Sequence, residues 1–491
     1  MTEQRSNITN KSDRWSYLWL AIGAILLLFS NGNWRIIPLA TWLAPVFVMR
    51  FLRTQKPGRG LVLVALTHVV AYNIMLQGLL SGMMGYIIAV AYGLFFFLPF
   101  LADRLIAPRL RGYFSTLVFP LAWITLEYVL SLATPYATWF SLAYTQYGNL
   151  PLVQIVSVTG IWGVGFLITW FASVVNWAWE QEFTWPKVRA GVGLYAGILV
   201  LVVLLGGARL ALFPPESNTV RVASVTRSFD LSRTTECEQE WECIRGITAE
   251  LLDDYLKDSR QAARAGARII VWQEDALWLL EEDEAAFIER GRELARQEEI
   301  YLGMGLMILP RDRPPTSREN KVILIDPSGS IMWEYLKAHP VPGDIDVPGD
   351  GQVPTLDTPY GRIASVICFD MDFPSLGRQA GRAGADLMLV PADDWEAIDP
   401  LHTHMATFPA IANGFSMIRS TGEGLSIAVD YQGRVLAAMD DFTTEEVVMI
   451  ADIPTEGVTT IYSRIGDLFA WLCVVGFVAV VGWAVVRRKA E

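Results

Sequence analysis

The feature that most constrains this chain is a series of long apolar stretches in its first 213 residues, with one more near its carboxyl end. A helix needs roughly 20 apolar residues to cross the hydrocarbon core of a bilayer. Eight stretches approach or exceed that length: residues 15–31, 35–52, 60–80, 83–103, 113–133, 155–178, 190–212 and 468–486. We therefore expect a membrane protein. The composition agrees, because 52% of the residues are hydrophobic and only 18% are charged.

Lysine and arginine residues alternate between connections that carry several of them and connections that carry almost none, with Arg35 as the one exception. The positive connections contain Arg5, Lys11 and Arg14; Arg50, Arg53, Lys56 and Arg59; Arg104, Arg109 and Arg111; Lys187 and Arg189; and Arg487, Arg488 and Lys489. Short cytoplasmic loops retain positive charge. This pattern predicts both termini in the cytoplasm and the large segment before the last stretch outside it. The first stretch lacks a small-residue cleavage site, so we interpret it as a retained anchor.

The segment outside the cytoplasm, residues 214–461, is large enough to bury a core of its own. We expect three parts: a membrane domain of seven helices over residues 1–213, this exported domain, and a closing helix with a short tail over residues 462–491. Acidic residues crowd the exported domain and carry most of the surplus behind the net charge of −12. Such acidity favours solubility and excludes nucleic acid as an expected partner.

The exported domain alternates between strand and helix patterns. Apolar runs such as "TVRVASVTR", "ARIIVWQED" and "ADLMLVPAD" predict buried strands, and "ITAELLDDYLKDSRQAARAG" has apolar residues at helical spacing. Gly, Pro and Asp turns separate the elements. This alternation predicts a layered α/β domain in which helices cover a sheet.

Two of the four cysteines form a close pair in the stretch "CEQEWEC", Cys237 and Cys243. Outside the cytoplasm a disulfide is favoured for such a pair. The competing interpretation, a metal site, has weaker support because no histidine lies nearby. His402 and His404 in "LHTHMA" are interpreted as ordinary polar residues near a helix start. We expect neither a metal nor a cofactor.

Three strand ends in this domain carry reactive side chains. Glu274 ends "IIVWQE", Lys337 ends "MWEYLK", and Cys368 lies near the end of "SVICFD". Together they could perform acyl transfer: the carboxylate takes the thiol proton, the thiolate attacks a carbonyl carbon, and the ammonium stabilises the oxyanion. Each residue alone is weak evidence, since a cysteine at the end of a buried strand is more often structural. It is the presence of all three residues at strand ends of one domain that indicates a catalytic site.

These residues also carry a resemblance to a known family. The stretches "VWQEDAL", "YLKAHPVPGD" and "ICFDMDFP" resemble the three motif regions of the nitrilase superfamily, with Glu274, Lys337 and Cys368 at the positions of its Glu-Lys-Cys triad. The membrane part resembles that of the apolipoprotein N-acyltransferases, through Pro120, Trp123, Glu127, Trp139, Tyr144, Gln154 and Gly160. Seven helices, a nitrilase-like domain and one closing helix match that family over nearly the whole chain.

The resemblance implies a nitrilase-like α-β-β-α sandwich and a ping-pong reaction in the bacterial cytoplasmic (inner) membrane, with the catalytic domain on the outer, periplasmic face. A membrane phospholipid would give an acyl chain to Cys368 as a thioester. The chain would then pass to the α-amino group of a diacylated apolipoprotein. It implies a monomer and no cofactor. Two alternatives stay open: a membrane-tethered carbon–nitrogen hydrolase (amidase), and a non-catalytic lipoprotein-binding homologue.

The chain departs from the family pattern around the triad. The acidic residue after Lys337 is Asp344 or Asp346 in place of a Phe-Gly-Glu motif, and Phe369 and Asp370 replace Tyr-Glu after the cysteine. Further departures are Ala392, Asp393 and Asp394 before Trp395, where the family has Asn-Asp, and Pro409 and Ala412 in a later helix. The resemblance assigns supporting roles to Asp344, Asp370, Trp395, Glu127 and Trp139. For Glu127, pairing within the helix bundle is an equal alternative, as an interfacial belt is for the aromatic stretch 131–152.

Overall fold

A computed structural model describes residues 14–30, 35–79, 82–110, 112–215, 218–227, 241–310 and 317–489. The chain divides into two compact units. The first contains Met1–Arg209 and Ile465–Glu491, and the second contains Leu210–Arg464.

The first unit is helical. Its helices are α1 (Ser16–Leu27), α2 (Pro38–Thr54), α3 (Pro57–Met75), α4 (Gly82–Ile106), α5 (Val118–Ala133), α6 (Leu150–Val153), α7 (Val156–Thr159), α8 (Trp162–Glu180) and α9 (Trp185–Leu212, whose last residues enter the second unit), and the closing helix described below. Within the described ranges, five helices are long and apolar enough to cross a membrane, or six if the bent pair Leu150–Thr159 and Trp162–Glu180 is one span. Helix α1 has only 12 residues and α2 only 17, so the count of eight spans stays a prediction.

A buried ion pair ties three of these helices together. Arg53 of α2 contacts Asp103 of α4 at 2.8 Å and Glu180 of α8 at 3.1 Å. The carboxylate of Asp103 is almost completely buried. A buried carboxylate needs such a partner, because an unpaired charge in an apolar interior is strongly unfavourable. The pair therefore fixes the packing of α2, α4 and α8 at this end of the bundle.

The second unit contains two sheets. The first has strand order β13-β1-β2-β4-β5-β6, with β3 also paired to β4, and the second has the order β12-β11-β10-β9-β8-β7. The strands are β1 (Thr219–Val225), β2 (Ile269–Trp272), β3 (Leu277–Leu280), β4 (Tyr301–Leu309), β5 (Glu319–Ile325), β6 (Ile331–Leu336), β7 (Thr355–Thr358), β8 (Gly361–Ser365), β9 (Leu387–Asp393), β10 (Ser416–Gly422), β11 (Leu425–Val429), β12 (Val435–Asp440) and β13 (Val448–Pro454). The helices from here to the carboxyl end are α10 (Trp241–Arg264), α11 (Glu284–Glu298), α12 (Pro374–Arg382), α13 (Leu401–Asn413), α14 (Ile461–Ile465) and, in the first unit, the closing helix α15 (Leu468–Lys489).

Three apolar layers show how the sheets stack. In β2, Ile269 and Val271 belong to a cluster that includes β9 and β10 of the other sheet, whereas Ile270 and Trp272 belong to a cluster with α10 and α11. Successive side chains of a strand point to opposite faces, so β2 is covered on both sides. A third cluster joins the second sheet to α12 and α13. The layers are helices, sheet, sheet, helices, which confirms the α-β-β-α sandwich.

The cysteine pair from the sequence is described only in part. Cys243, in α10, is disulfide-bonded. Cys237, the partner predicted from sequence, lies outside the described residues.

An interruption between β2 and β3 positions the first triad residue. Both strands pair with β4: β2 aligns with residues 301–303, and β3 aligns with residues 306–309. The chain between them contains Glu274 and passes close to Gly305 of β4. A Cβ atom at Gly305 would lie 1.9 Å from the carbonyl oxygen of Gln273 and 3.1 Å from the Cα atom of Glu274. Glycine at this position therefore allows the backbone to approach β4 and turn Glu274 away from the strand.

We predict that Gly305→Ala destabilises the protein and displaces Glu274, whereas Gly303→Ala does neither. A Cβ atom at Gly303 would meet nothing nearer than 3.8 Å, so this second glycine of β4 is a matched control. The clash at Gly305 should cost about 1–3 kcal/mol. Thermal unfolding of the full-length protein in detergent measures the difference. Equal melting temperatures for the two variants would contradict this account of the interruption.

Candidate active site

Glu274, Lys337 and Cys368 all follow strand ends, as the sequence predicts. Glu274 lies two residues beyond β2, Lys337 directly follows β6, and Cys368 begins a short 3-10 turn, Cys368–Asp372, after β8. All three are buried. Residue Asp393 joins them, because its backbone N–H donates to Glu274 Oε2 at 3.0 Å and its carbonyl oxygen lies 3.8 Å from the sulfur of Cys368. The structure therefore brings all three predicted side chains to one site.

Glu274 is held by donors from three different segments. Lys337 Nζ lies 2.6 Å from Oε1, and Asn320 Nδ2 donates to the same oxygen at 2.7 Å. The backbone N–H of Asp393 donates to the second oxygen, Oε2. Buried charged groups are stable only when they are paired and hydrogen-bonded. Here β5 of the first sheet supplies Asn320 as a donor, and β9 of the second sheet supplies the backbone of Asp393. The carboxylate is therefore fixed in orientation before any substrate arrives.

Lys337 retains its proton in this environment. Burial alone would lower the pKa of Lys337, but the carboxylate of Glu274 raises it well above the ordinary value for lysine. A charged ammonium in a dry site is suited to stabilise negative charge on a substrate oxygen.

Cys368 sits at a strained position of the backbone. Its φ angle is +46°, in the left-handed region that residues with a side chain rarely adopt. Such strain persists only where the surrounding structure enforces it, and it is typical of functional sites. The turn places Sγ within 3.9 Å of Asp394 Oδ1 and 3.8 Å of Arg419 Nη2.

The thiol needs a base. Burial and the nearby carboxylate of Glu274 raise the pKa of Cys368 above its ordinary value, and the cations Arg419 and His402 act in the opposite direction. The resting group at neutral pH is therefore the thiol, which is a poor nucleophile. The carboxylate of Glu274 is suited to take its proton, so the arrangement supports nucleophilic acyl transfer through sulfur.

The predicted supporting residues of this unit fall into different places. Asp370 is fully buried and accepts hydrogen bonds from Tyr335 Oη and from the backbone N–H of His339, both at 2.8 Å. It therefore shapes the segment that follows Lys337. Trp395 lies in the connection between β9 and α13, where its carbonyl oxygen accepts from the N–H of Ile398.

The structure distinguishes the two acidic residues that follow Lys337. Asp346 is buried, pairs with Arg318, and accepts from Asn320 Nδ2 at 3.3 Å. Since Asn320 also binds Glu274, Asp346 is the residue connected to the triad. Asp344 is more exposed and lies 3.6 Å from the same arginine.

Glu127 and Trp139 belong to the helical unit. Glu127 is buried in α5 and accepts hydrogen bonds from Trp123 Nε1 at 2.7 Å, Ser141 Oγ at 3.1 Å and the N–H of Leu142 at 3.1 Å. It lines a small pocket with aromatic neighbours. These contacts match the alternative of pairing within the bundle. Trp139 is buried in the segment after α5.

Four further charged residues lie near the thiol, and the sequence patterns did not indicate that they come together. Asp372, Asp394, His402 and Arg419 are buried together, and we call them the inner charge cluster. His402 lies near the start of α13, as expected, but it is buried and its Nδ1 atom lies 2.7 Å from Asp394 Oδ1, so it belongs to an ionic network. The available signal was Arg419 itself, a charged residue within the otherwise uncharged strand "FSMIRSTG".

One group of side chains has the geometry of a metal site. Ligand atoms of Cys368, Asp394 and His402 lie within 4.8 Å of one another. Arg419 Nη2, however, lies 2.9 Å from both Asp394 Oδ1 and His402 Nδ1. A guanidinium at those atoms repels a cation and already pairs with the carboxylate oxygen that the cation would need. The residues present therefore fit an ion-paired network better than a metal centre.

The two-sheet sandwich with this Glu-Lys-Cys site is a carbon–nitrogen hydrolase domain, and the family of that description matches residues 238–462. Residues 13–174 match a second family, the apolipoprotein N-acyltransferase N-terminal domain. Together the two matches cover most of the chain, and their order is that of the two domains of the apolipoprotein N-acyltransferases.

Individual relatives agree. An apolipoprotein N-acyltransferase of Geobacter metallireducens is 28% identical over 97% of this chain and 96% of its own. One of Azotobacter vinelandii is 26% identical over 84% and 81%. Among solved structures, an amidase from Nesterenkonia sp. is 19% identical and covers 52% of this chain and 97% of its own, with a TM-score of 0.40.

We predict strong coupling between Glu274 and Lys337 in a double-mutant cycle. Either Glu274→Gln or Lys337→Met leaves one buried charge without its partner, which should lower the free energy of unfolding by about 3–5 kcal/mol. The double variant removes both charges and should lose clearly less than the sum of the two single losses. Denaturant unfolding of the full-length protein measures the cycle. Additive losses would contradict the pairing seen here.

Proposed function

We propose that this protein is a phospholipid:apolipoprotein N-acyltransferase that works through a thioester on Cys368. The observation that carries the proposal is the buried Glu274–Lys337 pair at the site of a strained cysteine, in a chain that also has the N-terminal domain of this family. A hydrolase that acts on soluble substrates would not need a bundle of apolar helices. An enzyme whose substrates are anchored in lipid would need such a bundle to hold its active site at the membrane.

The first half-reaction loads the enzyme. Glu274 takes the proton of the Cys368 thiol, and the thiolate attacks the ester carbonyl carbon of a phospholipid. Lys337 stabilises the oxyanion of the tetrahedral intermediate. The carbon–oxygen ester bond then breaks, and the proton held by Glu274 passes to the departing alkoxide. The products are an S-acyl Cys368 and a lysophospholipid.

The second half-reaction transfers the acyl chain. The α-amino group of a diacylglyceryl-modified cysteine attacks the thioester carbonyl, and Glu274 takes a proton from the nitrogen. Lys337 again faces the oxyanion. Collapse of this intermediate breaks the carbon–sulfur bond, forms the amide, and returns the proton to the sulfur of Cys368. All atoms balance without a cofactor.

The proposed location follows from the charges and the substrates. Positive connections alternate along the chain, which supports a cytoplasmic-membrane protein whose catalytic unit faces the periplasm. Both substrates are lipid-anchored and present on that face. We propose a monomer, because both half-reactions use the same three side chains of one chain.

The departures from the family pattern do not interrupt the triad. Asp370, one methylene shorter than the usual glutamate, still reaches Tyr335 and the backbone of His339. Asp346 still reaches Asn320. These contacts support an active enzyme over the non-catalytic alternative.

We predict that Cys368→Ala lowers acyl transfer to a diacylated lipopeptide by at least about 10³-fold, because the nucleophile is removed. Cys368→Ser should fold and bind phospholipid but transfer very slowly, since a hydroxyl ionises far less than a thiol. Adding Glu274→Gln to Cys368→Ala should cause no further loss. The assay uses full-length protein in detergent with a phospholipid that carries one labelled acyl chain.

Cys473→Ala is the matched control, because Cys473 is a free, buried cysteine in the closing helix, and it should retain full activity. The label should appear in the lipopeptide amide. Label released mainly as free fatty acid in the presence of lipopeptide would indicate a hydrolase instead. Normal transfer by Cys368→Ala would refute the proposed nucleophile.

A further inference from the structure

The inner charge cluster lies on neighbouring elements of the second sheet. Cys368 follows β8, Asp394 directly follows β9, and Arg419 lies on β10; these three strands are parallel neighbours. His402 projects from α13, which packs on the same sheet. The carboxyl ends of adjacent parallel strands meet at one edge of a sheet, so the fold itself delivers these charges to the thiol.

Both ring nitrogens of His402 face carboxylates. Nδ1 lies 2.7 Å from Asp394 Oδ1, and Nε2 lies 3.3 Å from Asp372 Oδ2. Arg419 Nη2 also lies 2.9 Å from Nδ1. Burial and the Arg419 charge would lower the pKa of His402, but the two carboxylates raise it well above the ordinary value. The surroundings of His402 therefore favour the protonated ring.

One carboxylate oxygen bridges the two cations. Asp394 Oδ1 lies 2.7 Å from His402 Nδ1 and 2.9 Å from Arg419 Nη2. Burial alone would raise the pKa of Asp394, but these two cations lower it to about 2. The side chains of Arg419 and Asp394 have no exposed surface. The carboxylate therefore remains ionised, and it holds the two cations in fixed positions.

Arg419 also reaches the reacting atom. Its Nη2 atom lies 3.8 Å from Cys368 Sγ. A buried ionic network usually stabilises a fold no better than apolar side chains of the same volume would. Its position against the nucleophile therefore indicates a role in the chemistry and not only in packing.

We propose that Arg419 and His402 form a second cationic centre, separate from Lys337, that stabilises the thiolate of Cys368, and that Asp394 and Asp372 are positioning residues that hold it. The inference rests on the proposed function only in taking Cys368 as the nucleophile. When Glu274 removes the thiol proton, negative charge appears on sulfur, and the N–H of Arg419 donates to it. In the acyl-enzyme the sulfur is neutral. The same donor therefore also favours departure of the thiolate in the second half-reaction.

The division of roles between the cations follows from this geometry. Lys337 is paired with Glu274 and serves the substrate oxygen, whereas Arg419 serves the sulfur.

The test is the pH dependence of Cys368 alkylation by iodoacetamide, measured by peptide mass spectrometry on full-length protein in detergent. Only the thiolate reacts, so the midpoint of the profile reports its formation. The groups around the thiol are Glu274, Lys337, Asp393 and the inner charge cluster. Each of Arg419→Gln and His402→Gln should move the midpoint upward by roughly one pH unit, which slows alkylation at neutral pH about tenfold. Arg419→Lys keeps the charge and should stay within about threefold of wild type.

Arg227→Gln is the matched control. Arg227 forms an ion pair with Asp254 at 3.2 Å and another with Asp258 in the same unit, so its loss should lower stability and leave the alkylation midpoint unchanged. If Arg419→Gln does not fold, His402→Gln decides, because it leaves the Arg419–Asp394 pair intact.

Midpoints equal to wild type in the folded variants would overturn the proposal and assign the cluster to packing alone. The assay needs no lipid. If the alkylation midpoint moves upward in the variants but the wild type transfers no acyl chain, the proposed function is refuted and the role of Arg419 and His402 is supported. Normal acyl transfer by an enzyme whose variants show unmoved midpoints would support the proposed function and refute the role of Arg419 and His402.

Discussion

The structure of the active site depends on one buried ion pair, between Lys337 and Glu274, whose nitrogen and oxygen lie 2.6 Å apart. Two charges in an interior must be held in good geometry and must have their remaining hydrogen bonds satisfied, or their desolvation outweighs their attraction. Asn320 and the backbone of Asp393 satisfy Glu274. Because these partners come from β5 of one sheet and β9 of the other, the pair also fixes how the two sheets meet at the site.

The thiol lies between two groups of charges that act in opposite directions. Burial and Glu274 keep Cys368 protonated, whereas Arg419 and His402 favour the thiolate. A nucleophile that must accept an acyl chain and later release it benefits from this balance. A strongly stabilised thiolate would be a weak attacking group, and an unsupported one would be a poor leaving group.

Much of the fold could be predicted from the sequence, because buried strands and amphipathic helices leave clear periodic patterns. The triad could be predicted because Glu274, Lys337 and Cys368 each end such a pattern. Strands β3, β7 and β13 were missed, although β2, which is as short as β3 and β7, was predicted. The inner charge cluster was also missed, and the reason is physical. Arg419 and His402 occupy buried positions, and a single sequence does not show that Asp394 and Asp372 supply the partners that make their burial stable.

The most direct test of the central claim is intact-protein mass spectrometry of wild type incubated with a phospholipid of one defined acyl chain, without any acceptor. The account predicts a mass increase of one acyl group, located on Cys368 by peptide mapping and removed by hydroxylamine, as expected for a thioester. An adduct on another residue, or no adduct on an enzyme that transfers acyl chains when the acceptor is present, would contradict it.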